Sequence, residues 1–393
     1  GLTALGWPTP TPPGTFFGEG QGNVEISTMD NQAFSLFGQV DIDLGDRATL
    51  TLGINYTDDE KDVTFDQTAT DVFSALDLEQ AGGLLIYGAV LQAELLAGTP
   101  LAVADAIATA TSAALAPVQC SATNPPPACN EALALAPLQF QRPNINFPNS
   151  VESGNTNDDD TTYTVRLAYD LSDDVNVYAS AGTGFKASSW NLSRDSRPFA
   201  SDLPALGTAG LLVPNITAGT RYASPEESTV YEIGLKGSWD MVSMNLALFE
   251  QEIEGFQSNI FTGTGFSLAN AGKQSTTGAE IDIRWMPSEV FEGTLAATIL
   301  DPKYDSFPGG VGVNGPEDLS GTTPPGIHEL SLTAAGRYSF QVGNAAGYVR
   351  VEYIYEDEIQ VIENVPASVA SREVSTINAS AGLSWDNGFE AML

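Results

Sequence analysis

The sequence predicts an all-β fold, an antiparallel up-and-down sheet of the type that forms transmembrane barrels. Three observations support this prediction: apolar and polar side chains alternate with a period of two, the segments that show this pattern are long, and short connections alternate with long ones along the chain. Between Tyr163 and Leu171, for example, the odd positions are apolar or aromatic, whereas the even positions are small, polar or charged. A strand places such residues on opposite faces, and a helix does not.

Twelve segments show this pattern. Most run to eleven residues or more, whereas strands of soluble domains have a mode of roughly 5 to 6 residues. That length suits a tilted strand that crosses a bilayer, which needs about 9 to 11 residues. The predicted strands are residues 33–44, 48–58, 161–171, 175–186, 226–239, 241–256, 275–286, 290–300, 326–340, 345–356, 374–385 and a last strand that begins at residue 388.

The connections between these strands are of two kinds. Short turns follow alternate strands, at residues 45–47, 172–174, 240, 287–289, 341–344 and 386–387. Long loops form the other connections between strands, at residues 59–160, 187–225, 257–274, 301–325 and 357–373. Tight turns at one end of an up-and-down sheet and long loops at the other are typical of an outer-membrane barrel. We therefore expect extracellular long loops, with one face of the sheet on lipid and the other on a wet lumen.

Aromatic side chains near the strand ends fit the girdles that flank the lipid band of such barrels. The alternative is the ordinary enrichment of aromatic residues in strands. Girdles are favoured because the pattern of turns and loops agrees with them. The residues concerned are Tyr56, Tyr178, Phe185, Trp239, Trp285, Tyr338 and Trp385.

The longest loop contains an insertion, residues 64–157, that is expected to be partly helical. Residues 81–97 are apolar except for Gln92 and Glu94, and residues 101–115 are rich in alanine. At 17 residues, the first stretch is marginal for a membrane-spanning helix. A helical cap in a surface loop is the better interpretation.

Two cysteines, Cys120 and Cys129, flank a Pro-rich stretch in the same insertion. They are too few for a four-ligand zinc site. A local disulfide that closes this loop is favoured over two free thiols, and it would imply an oxidising or extracytoplasmic setting.

The charge of the chain excludes one class of partner. With 50 acidic and 15 basic side chains, the formal net charge of the 393 residues is −35. Nucleic-acid binding needs clustered Lys and Arg, so we expect no nucleic-acid partner. Only 17% of the residues are charged, below the roughly 25% of a typical soluble domain. Lipid-facing positions that carry no charge would explain the low fraction, and loops and turns would hold the acidic excess.

Nothing in the sequence supports catalysis, a metal centre or a cofactor. His328 is the only histidine, so any catalytic triad would depend on it, and a surface histidine is the simpler interpretation. Three adjacent carboxylates, Asp158, Asp159 and Asp160, do not have the spacing of an EF-hand and are expected to form a solvated loop.

One long loop is a candidate ligand-binding element. It combines aromatic faces with guanidinium groups in a chain that is short of basic residues, a set that could stack on a sugar or hold an anionic ferric chelate. The alternative is loop–loop packing in which Asp195 and Asp202 neutralise the arginines. The candidate residues are Trp190, Arg194, Arg197, Phe199, Arg221 and Tyr222.

Five segments, in order along the chain, carry a resemblance to a known family. They are AFSLFGQVDIDLGDRATLTLGINYTDDEKD at 33–62, VNVYASAGTGFKASSWN at 175–191, PEESTVYEIGLKGSW at 225–239, LALFEQEIEGFQ at 246–257 and NAGKQSTTGAEIDIRWMP at 270–287. Together they resemble the barrel of TonB-dependent outer-membrane receptors. The positions that carry the resemblance are Gly184, Phe185, Lys186, Glu226, Tyr231, Glu232, Gly234, Lys236, Phe249, Gln257, Asn270, Gly272, Gly278 and Glu280.

The resemblance implies a partial barrel. The family's barrel has 22 strands around a plugged lumen, so about 12 of 22 strands are expected here, without the plug and the final strand. Residues 1–32 are then a loop or strand lead-in and residues 33–393 a barrel fragment. Inward-facing charges would contact the plug in the complete protein. These charges are Arg166, Lys236, Glu280, Asp282, Arg284, Arg350 and Glu352.

The resemblance also implies a function. Such a receptor binds a scarce nutrient, such as a ferric siderophore or an oligosaccharide, at its outer loops. It admits the nutrient when the TonB–ExbB–ExbD complex moves the plug. Two alternatives stay open: a passive porin or structural barrel in the outer membrane, and a soluble all-β carbohydrate-binding protein.

Overall fold

A computed structural model describes residues 14–15, 17–121, 123–139, 144–192, 197–212, 216, 218–219, 221–261 and 266–393. Strands dominate it. They are β1 (Asn23–Asp43), β2 (Ala48–Ala69), β3 (Asn155–Ser172), β4 (Val175–Lys186), β5 (Ser189–Trp190), β6 (Tyr222–Ala223), β7 (Glu226–Ser238), β8 (Val242–Glu254), β9 (Gln257–Phe261), β10 (Phe266–Asn270), β11 (Lys273–Ser288), β12 (Phe291–Ser306), β13 (Gly310–Gly312), β14 (Gly315–Glu317), β15 (Leu330–Val342), β16 (Ala345–Gln360), β17 (Ser371–Trp385) and β18 (Glu390–Met392). The α-helices are α1 (Leu78–Leu96), α2 (Leu101–Leu115) and α3 (Leu203–Thr208).

Twelve of these strands form one antiparallel sheet, in the order β1-β2-β3-β4-β7-β8-β11-β12-β15-β16-β17-β18. Each strand pairs with the next long strand along the chain, so the sheet is an up-and-down meander, and β1 and β18 are its two edges. Three two-stranded ribbons, β5/β6, β9/β10 and β13/β14, lie in the long connections. The predicted all-β fold with twelve strands is therefore confirmed, as an open barrel wall.

Several strands are longer than the sequence predicted. β1 begins at Asn23 instead of residue 33, and β2 continues to Ala69 instead of residue 58. Each extension carries only two alternating apolar residues among polar and charged ones, Val24 and Ile26 in β1 and Val63 and Phe65 in β2. Cross-strand polar contacts, such as the 2.5 Å hydrogen bond between the hydroxyls of Thr28 and Thr64, and the packing of Val63 and Phe65 against Phe147 hold the extensions.

The two faces of the sheet differ as a transmembrane wall requires. Tyr163, Ile233 and Ile299 belong to one face and are 54%, 56% and 57% exposed, although they lie in the middle of strands. Apolar side chains this exposed need lipid around them. A soluble all-β protein would have to bury this face against a second layer, so the exposed band speaks against that alternative.

Aromatic rings on the inner face cover glycines of the neighbouring strand. Tyr178 lies opposite Gly234, and Phe249 lies opposite Gly278. A Cβ atom at either glycine would overlap the facing ring. The rings shield the backbone that the glycines leave bare, which is the stabilising pairing known as aromatic rescue.

The insertion between β2 and β3 is helical, as predicted, and it folds around Asn130. The Asn130 side chain donates to the carbonyls of Leu78 and Ala116, at 3.0 and 2.7 Å, and accepts from the Ala132 amide at 2.9 Å. Gly82 of α1 lies against this amide, where a Cβ would collide with it. One buried side chain thus joins both helices to the 3-10 helix Glu131–Leu138.

The insertion also contains the two cysteines of the chain. Cys120 and Cys129 form a disulfide in the segment between α2 and the 3-10 helix. Among the described residues, the helices are too short or too polar for any of them to span a membrane.

Candidate functional site

The candidate residues of the loop between β4 and β7 meet at a two-residue ribbon directly above the sheet. β5 leaves the end of β4 after only two residues, and β6 returns just before β7 begins. Trp190 and Tyr222 are paired across the ribbon, and their ring centroids are 4.9 Å apart. The ribbon therefore places two aromatic side chains from distant parts of the loop side by side.

These rings belong to an aromatic row that joins the loop to the extension of β2. The ring centroids of Phe65 and Phe147 are 5.7 Å apart, and those of Phe147 and Trp190 are 5.6 Å apart. Phe199 meets Tyr222 edge to face at 5.4 Å. Phe65 and Phe147 are buried, whereas Trp190, Phe199 and Tyr222 keep part of their surface in solvent. One end of the row is therefore buried, and the rings at the other end keep part of their surface in solvent.

Arg221 fixes the loop next to this row. Its guanidinium forms an ion pair with Glu152 and a second one, at 2.5 Å, with Asp202. The guanidinium also stacks 4.4 Å from the centroid of the Phe199 ring. We call Arg221, Glu152 and Asp202 the Arg221 clasp. It joins the segment before β3, the turn before α3 and the entry to β6.

Burial dominates the electrostatics of the Arg221 clasp. It raises the pKa of the Glu152 carboxyl above its ordinary value. The positive charge of Arg221 opposes this shift, whereas the nearby carboxylate of Asp202 adds to it. Two carboxylates therefore share one guanidinium in a site that is largely closed to water.

The structure thus brings together four of the six candidate residues: Trp190, Phe199, Arg221 and Tyr222. Arg197 lies in the same loop, beside the fully buried Pro198, and Arg194 lies outside the described residues. Asp202 neutralises Arg221, as the packing alternative proposes, whereas Asp195 is not described. Glu152 could not be predicted from the sequence, because no local pattern connects it to Arg221, a partner 69 positions away.

Four polar side chains, which we call the polar collar, lie below the aromatic row, where the strands end and the loops begin. They are Gln257, Asn270, Lys186 and Glu226. The side-chain amide of Gln257 donates to the carbonyls of Ala187 and Ser224, at 3.0 and 2.9 Å, and its oxygen accepts from Ser189 at 2.6 Å. Asn270 donates to the Ser224 carbonyl at 2.9 Å. Two residues of the family pattern therefore bind the backbone of neighbouring loops and set where those loops begin.

Lys186 and Glu226 complete the collar. They are paired across β4 and β7, with 3.1 Å between the ammonium and the carboxylate. Glu226 also accepts from the backbone N–H of Gln257 at 2.5 Å. Gly272 is required nearby, because a Cβ there would press on Ser306.

Inward-facing charges form a second group on the lumen wall. The Tyr178 hydroxyl donates to Glu232 at 2.5 Å, and the Arg166 guanidinium lies 4.5 Å from the centre of the Tyr178 ring. Lys236 approaches the same ring, with 5.7 Å from its nitrogen to the ring centre. Further along the wall, Arg350 pairs with Glu352, and Arg284 pairs with Glu292 at 2.9 Å.

The described residues hold no cluster of three or more His, Cys, Asp or Glu side chains arranged to bind a metal ion. What they do hold is a set of aromatic and polar side chains in the long connections at one end of the sheet, and charged side chains on its inner face.

Comparison with known proteins gives the same picture. The TonB dependent receptor-like β-barrel family matches residues 2–391. Two curated relatives are the pesticin receptor of Yersinia enterocolitica, 29% identical over 136 residues, and that of Yersinia pestis, 28% identical over 134 residues. Each match covers 34% of this chain and 17% of the relative, so it spans only a small part of those proteins.

Solved structures share the fold over most of the chain. The ferric yersiniabactin uptake receptor FyuA from Yersinia pestis aligns with a TM-score of 0.55 and 13% identity, over 92% of this chain and 39% of that one. The siderophore receptor PiuA from Acinetobacter baumannii aligns with a TM-score of 0.50 and 13% identity, over 92% and 37%. The chain therefore spans less than half the length of these receptors. The sheet, its lipid-facing band and the family match agree: the chain belongs to the TonB-dependent receptor β-barrel family of the outer membrane.

Proposed function

We propose that the protein takes up a scarce nutrient across the outer membrane in an energy-coupled way. The ligand binds at the extracellular loops, and the TonB–ExbB–ExbD complex drives its passage by moving a plug domain in the lumen. The observation that carries this proposal is the family match over residues 2–391, on a sheet whose long connections all lie at one end. The function proposed is that of a receptor and transporter, not that of an enzyme.

For the ligand we propose a ferric siderophore or another iron chelate, with an oligosaccharide as the second candidate. Two of the aligned structures are described as a ferric yersiniabactin uptake receptor and a siderophore receptor. Both ligand classes offer flat or ring-shaped surfaces that aromatic side chains can stack on. Trp190, Phe199 and Tyr222 supply partly exposed rings at the outer end of the sheet.

The six candidate residues are given different roles in this proposal. The partly exposed rings contact the ligand, together with Arg194 and Arg197 of the same loop. Arg221 positions the rings, because the Arg221 clasp uses its guanidinium internally. The predicted lumen charges, such as Arg166, Lys236 and Glu280, contact the plug.

Deletion of the gene tests the proposal. The deletion strain and its parent are grown with each of a panel of ferric siderophores as the only iron source and with oligosaccharides as the only carbon source. The proposal expects loss of growth on at least one of them and restoration by the full-length gene. Equal growth of both strains on the whole panel would contradict it.

A passive porin is the rival within the outer membrane. Purified full-length protein in liposomes separates the two functions by the rate at which small sugars equilibrate. A plugged receptor leaves the vesicles nearly impermeable, whereas a porin makes them swell. Swelling comparable to that of a general porin would favour the rival.

A further inference from the structure

The charge of the candidate site differs from what its residue types suggested. The arginines of the loop between β4 and β7 predicted a site that could hold an anionic ferric chelate. In the structure, the Arg221 side chain is only 10% exposed and lies between the carboxylates of Glu152 and Asp202. Even if Glu152 is protonated, the Asp202 carboxylate balances the guanidinium. Arg221 therefore has no positive charge to offer a ligand.

The lysines at the outer end of the sheet are balanced in the same way. Each one forms an ion pair with a carboxylate of its own strand or of the neighbouring strand. An anionic ligand would have to displace that carboxylate before it could use the ammonium group. The pairs are Lys61–Asp59, Lys186–Glu226, Lys273–Glu252 and Lys303–Asp301.

Two carboxylates beside the exposed rings have no such balance. Asp158 and Asp160 belong to β3, although the sequence predicted a solvated loop there. With Thr156 they occupy alternate positions and share one face of the strand, the face that also carries Arg166 of the lumen wall. Thr156 accepts from the Trp190 indole at 3.0 Å, and Asp158 accepts from a backbone N–H of the same loop at 3.0 Å. Within the part of the chain that the structure describes, neither aspartate forms an ion pair.

The segments that build the site carry a net negative charge. Residues 144–160 and 187–225 together hold six acidic and three basic side chains, and Arg194 and Arg197 are among the basic ones. The five long connections that the sequence predicts hold 24 acidic and eight basic side chains. A mouth lined mainly by one sign of charge attracts ligands of the opposite sign and slows the approach of like-charged ones. Exposed aromatic faces add to this preference, because their quadrupoles attract cations.

This charge pattern selects among the ferric chelates of the function proposed above, on which the inference rests. We propose that the chelate bound at the aromatic row is neutral or positively charged, of the class in which hydroxamate groups hold the ferric ion. Three singly charged hydroxamates cancel the charge of a ferric ion, whereas three doubly charged catecholates leave the complex strongly negative. Trp190 and Tyr222 contact the chelate, and Asp158 and Asp160 repel anionic competitors.

Binding of three ferric chelates to the full-length receptor in lipid nanodiscs tests this proposal. The probes are ferrichrome, which is neutral, ferrioxamine B, which is positively charged, and ferric enterobactin, which is negatively charged. Isothermal titration calorimetry measures each Kd. At low salt we expect ferric enterobactin to bind at least about ten-fold more weakly than the better of the other two, the lower end of the effect of a charged cleft. The difference should shrink between about 0.01 and 1 M salt, because the screening length falls from about 30 to about 3 Å.

A charge variant and a matched control make the test specific. Asp158→Asn/Asp160→Asn removes two negative charges beside the rings but keeps the side-chain oxygen that accepts from the loop backbone. It should weaken binding of ferrioxamine B by about three-fold, the size expected of exposed charges, and should not weaken binding of ferric enterobactin. Asp173→Asn/Asp174→Asn, in the exposed turn at the other end of β3, removes the same charge and should change neither Kd.

The possible results separate this inference from the proposed function. Binding of ferric enterobactin as tight as that of the other two would overturn the inference and leave uptake of iron chelates standing. A preference that does not respond to salt would overturn it too, since shape alone would then explain the selectivity. Binding of none of the three would also overturn it, and the growth panel would then decide separately whether the proposed function stands.

Discussion

Glu152 and Arg221 form an ion pair that is almost closed to solvent, with side chains only 5% and 10% exposed. The pair joins the segment before β3 to the loop before β6, and Asp202 holds the same guanidinium from a third segment. Loops at the mouth of a barrel would otherwise move independently. This contact joins three segments of two loops into one unit, with the aromatic row on its surface.

Removing the guanidinium should release this unit. In Arg221→Ala, two carboxylates remain close together without their positive partner, one of them buried. Losing one partner of a buried ion pair costs about 3 kcal/mol, so residues 147–155 and 198–208 should lose hydrogen-exchange protection by that amount. Arg47→Ala, in the exposed turn between β1 and β2 at the opposite end of the sheet, is the control and should change nothing there. Unchanged protection in Arg221→Ala would mean that the clasp does not hold the loops.

The folded arrangement around the same clasp should gain stability in acid, although protonation of Glu152 removes its charge attraction to Arg221. Burial raises the pKa of Glu152 in the folded protein, so folding favours its protonated form. The associated stability is therefore present below the ordinary glutamate pKa and is lost as the pH rises through the raised value. Exchange protection of residues 147–155 should fall as the pH is raised across that range. Glu152→Gln should make it independent of pH, and a slope that persists in this variant would contradict the assignment.

The disulfide should stabilise the helical insertion alone. Cys120 and Cys129 close a short loop between α2 and the 3-10 helix, with a sequence separation of 9. A loop of this size gives about 2 to 3 kcal/mol. The double variant Cys120→Ser/Cys129→Ser should therefore lose protection in α1 and α2 but keep that of β2 and β3. Equal loss in the sheet would show that the insertion and the barrel wall unfold together.

Glycines under inner-face rings should tolerate no side chain. In Gly278→Ala, the new methyl group meets both Phe249 and Leu300, and overpacking of this kind costs about 1 to 3 kcal/mol. Gly38→Ala is the matched control, since it also lies in a strand but has no atom within 4 Å of the new Cβ position. Urea unfolding of the receptor in lipid vesicles measures the difference. Equal stability of the two variants would argue against ring shielding.

The sequence analysis predicted the barrel wall better than its outer loops. Lipid on one face and water on the other impose a period of two, and for that reason β4 was predicted with the bounds that the structure has, Val175–Lys186. Above the lipid this constraint ends. The extensions of β1 and β2 carry only two alternating apolar residues each, Val24 and Ile26 in one and Val63 and Phe65 in the other, and so short a pattern does not mark a strand.

The contacts between side chains of the outer loops could not be predicted from the sequence, for a different reason. Trp190, Phe199, Arg221 and Tyr222 stood out by residue type, but their arrangement depends on partners far away in the sequence. Thr156 accepts from the Trp190 indole at 3.0 Å, and Phe147 stacks on the same ring. Neither residue has a local pattern that would connect it to Trp190. Gln257 and Asn270 were noticed through the family resemblance, and only the structure shows that they bind loop backbone.

Energy dependence of uptake tests the central claim most directly. Cells that express the full-length receptor are given the radiolabelled nutrient that the growth panel identifies, and uptake is measured before and after a protonophore collapses the proton-motive force. An energy-coupled receptor predicts that surface binding persists while accumulation inside the cell stops. Accumulation that continues at the same rate without the proton-motive force would contradict the account and indicate a passive channel.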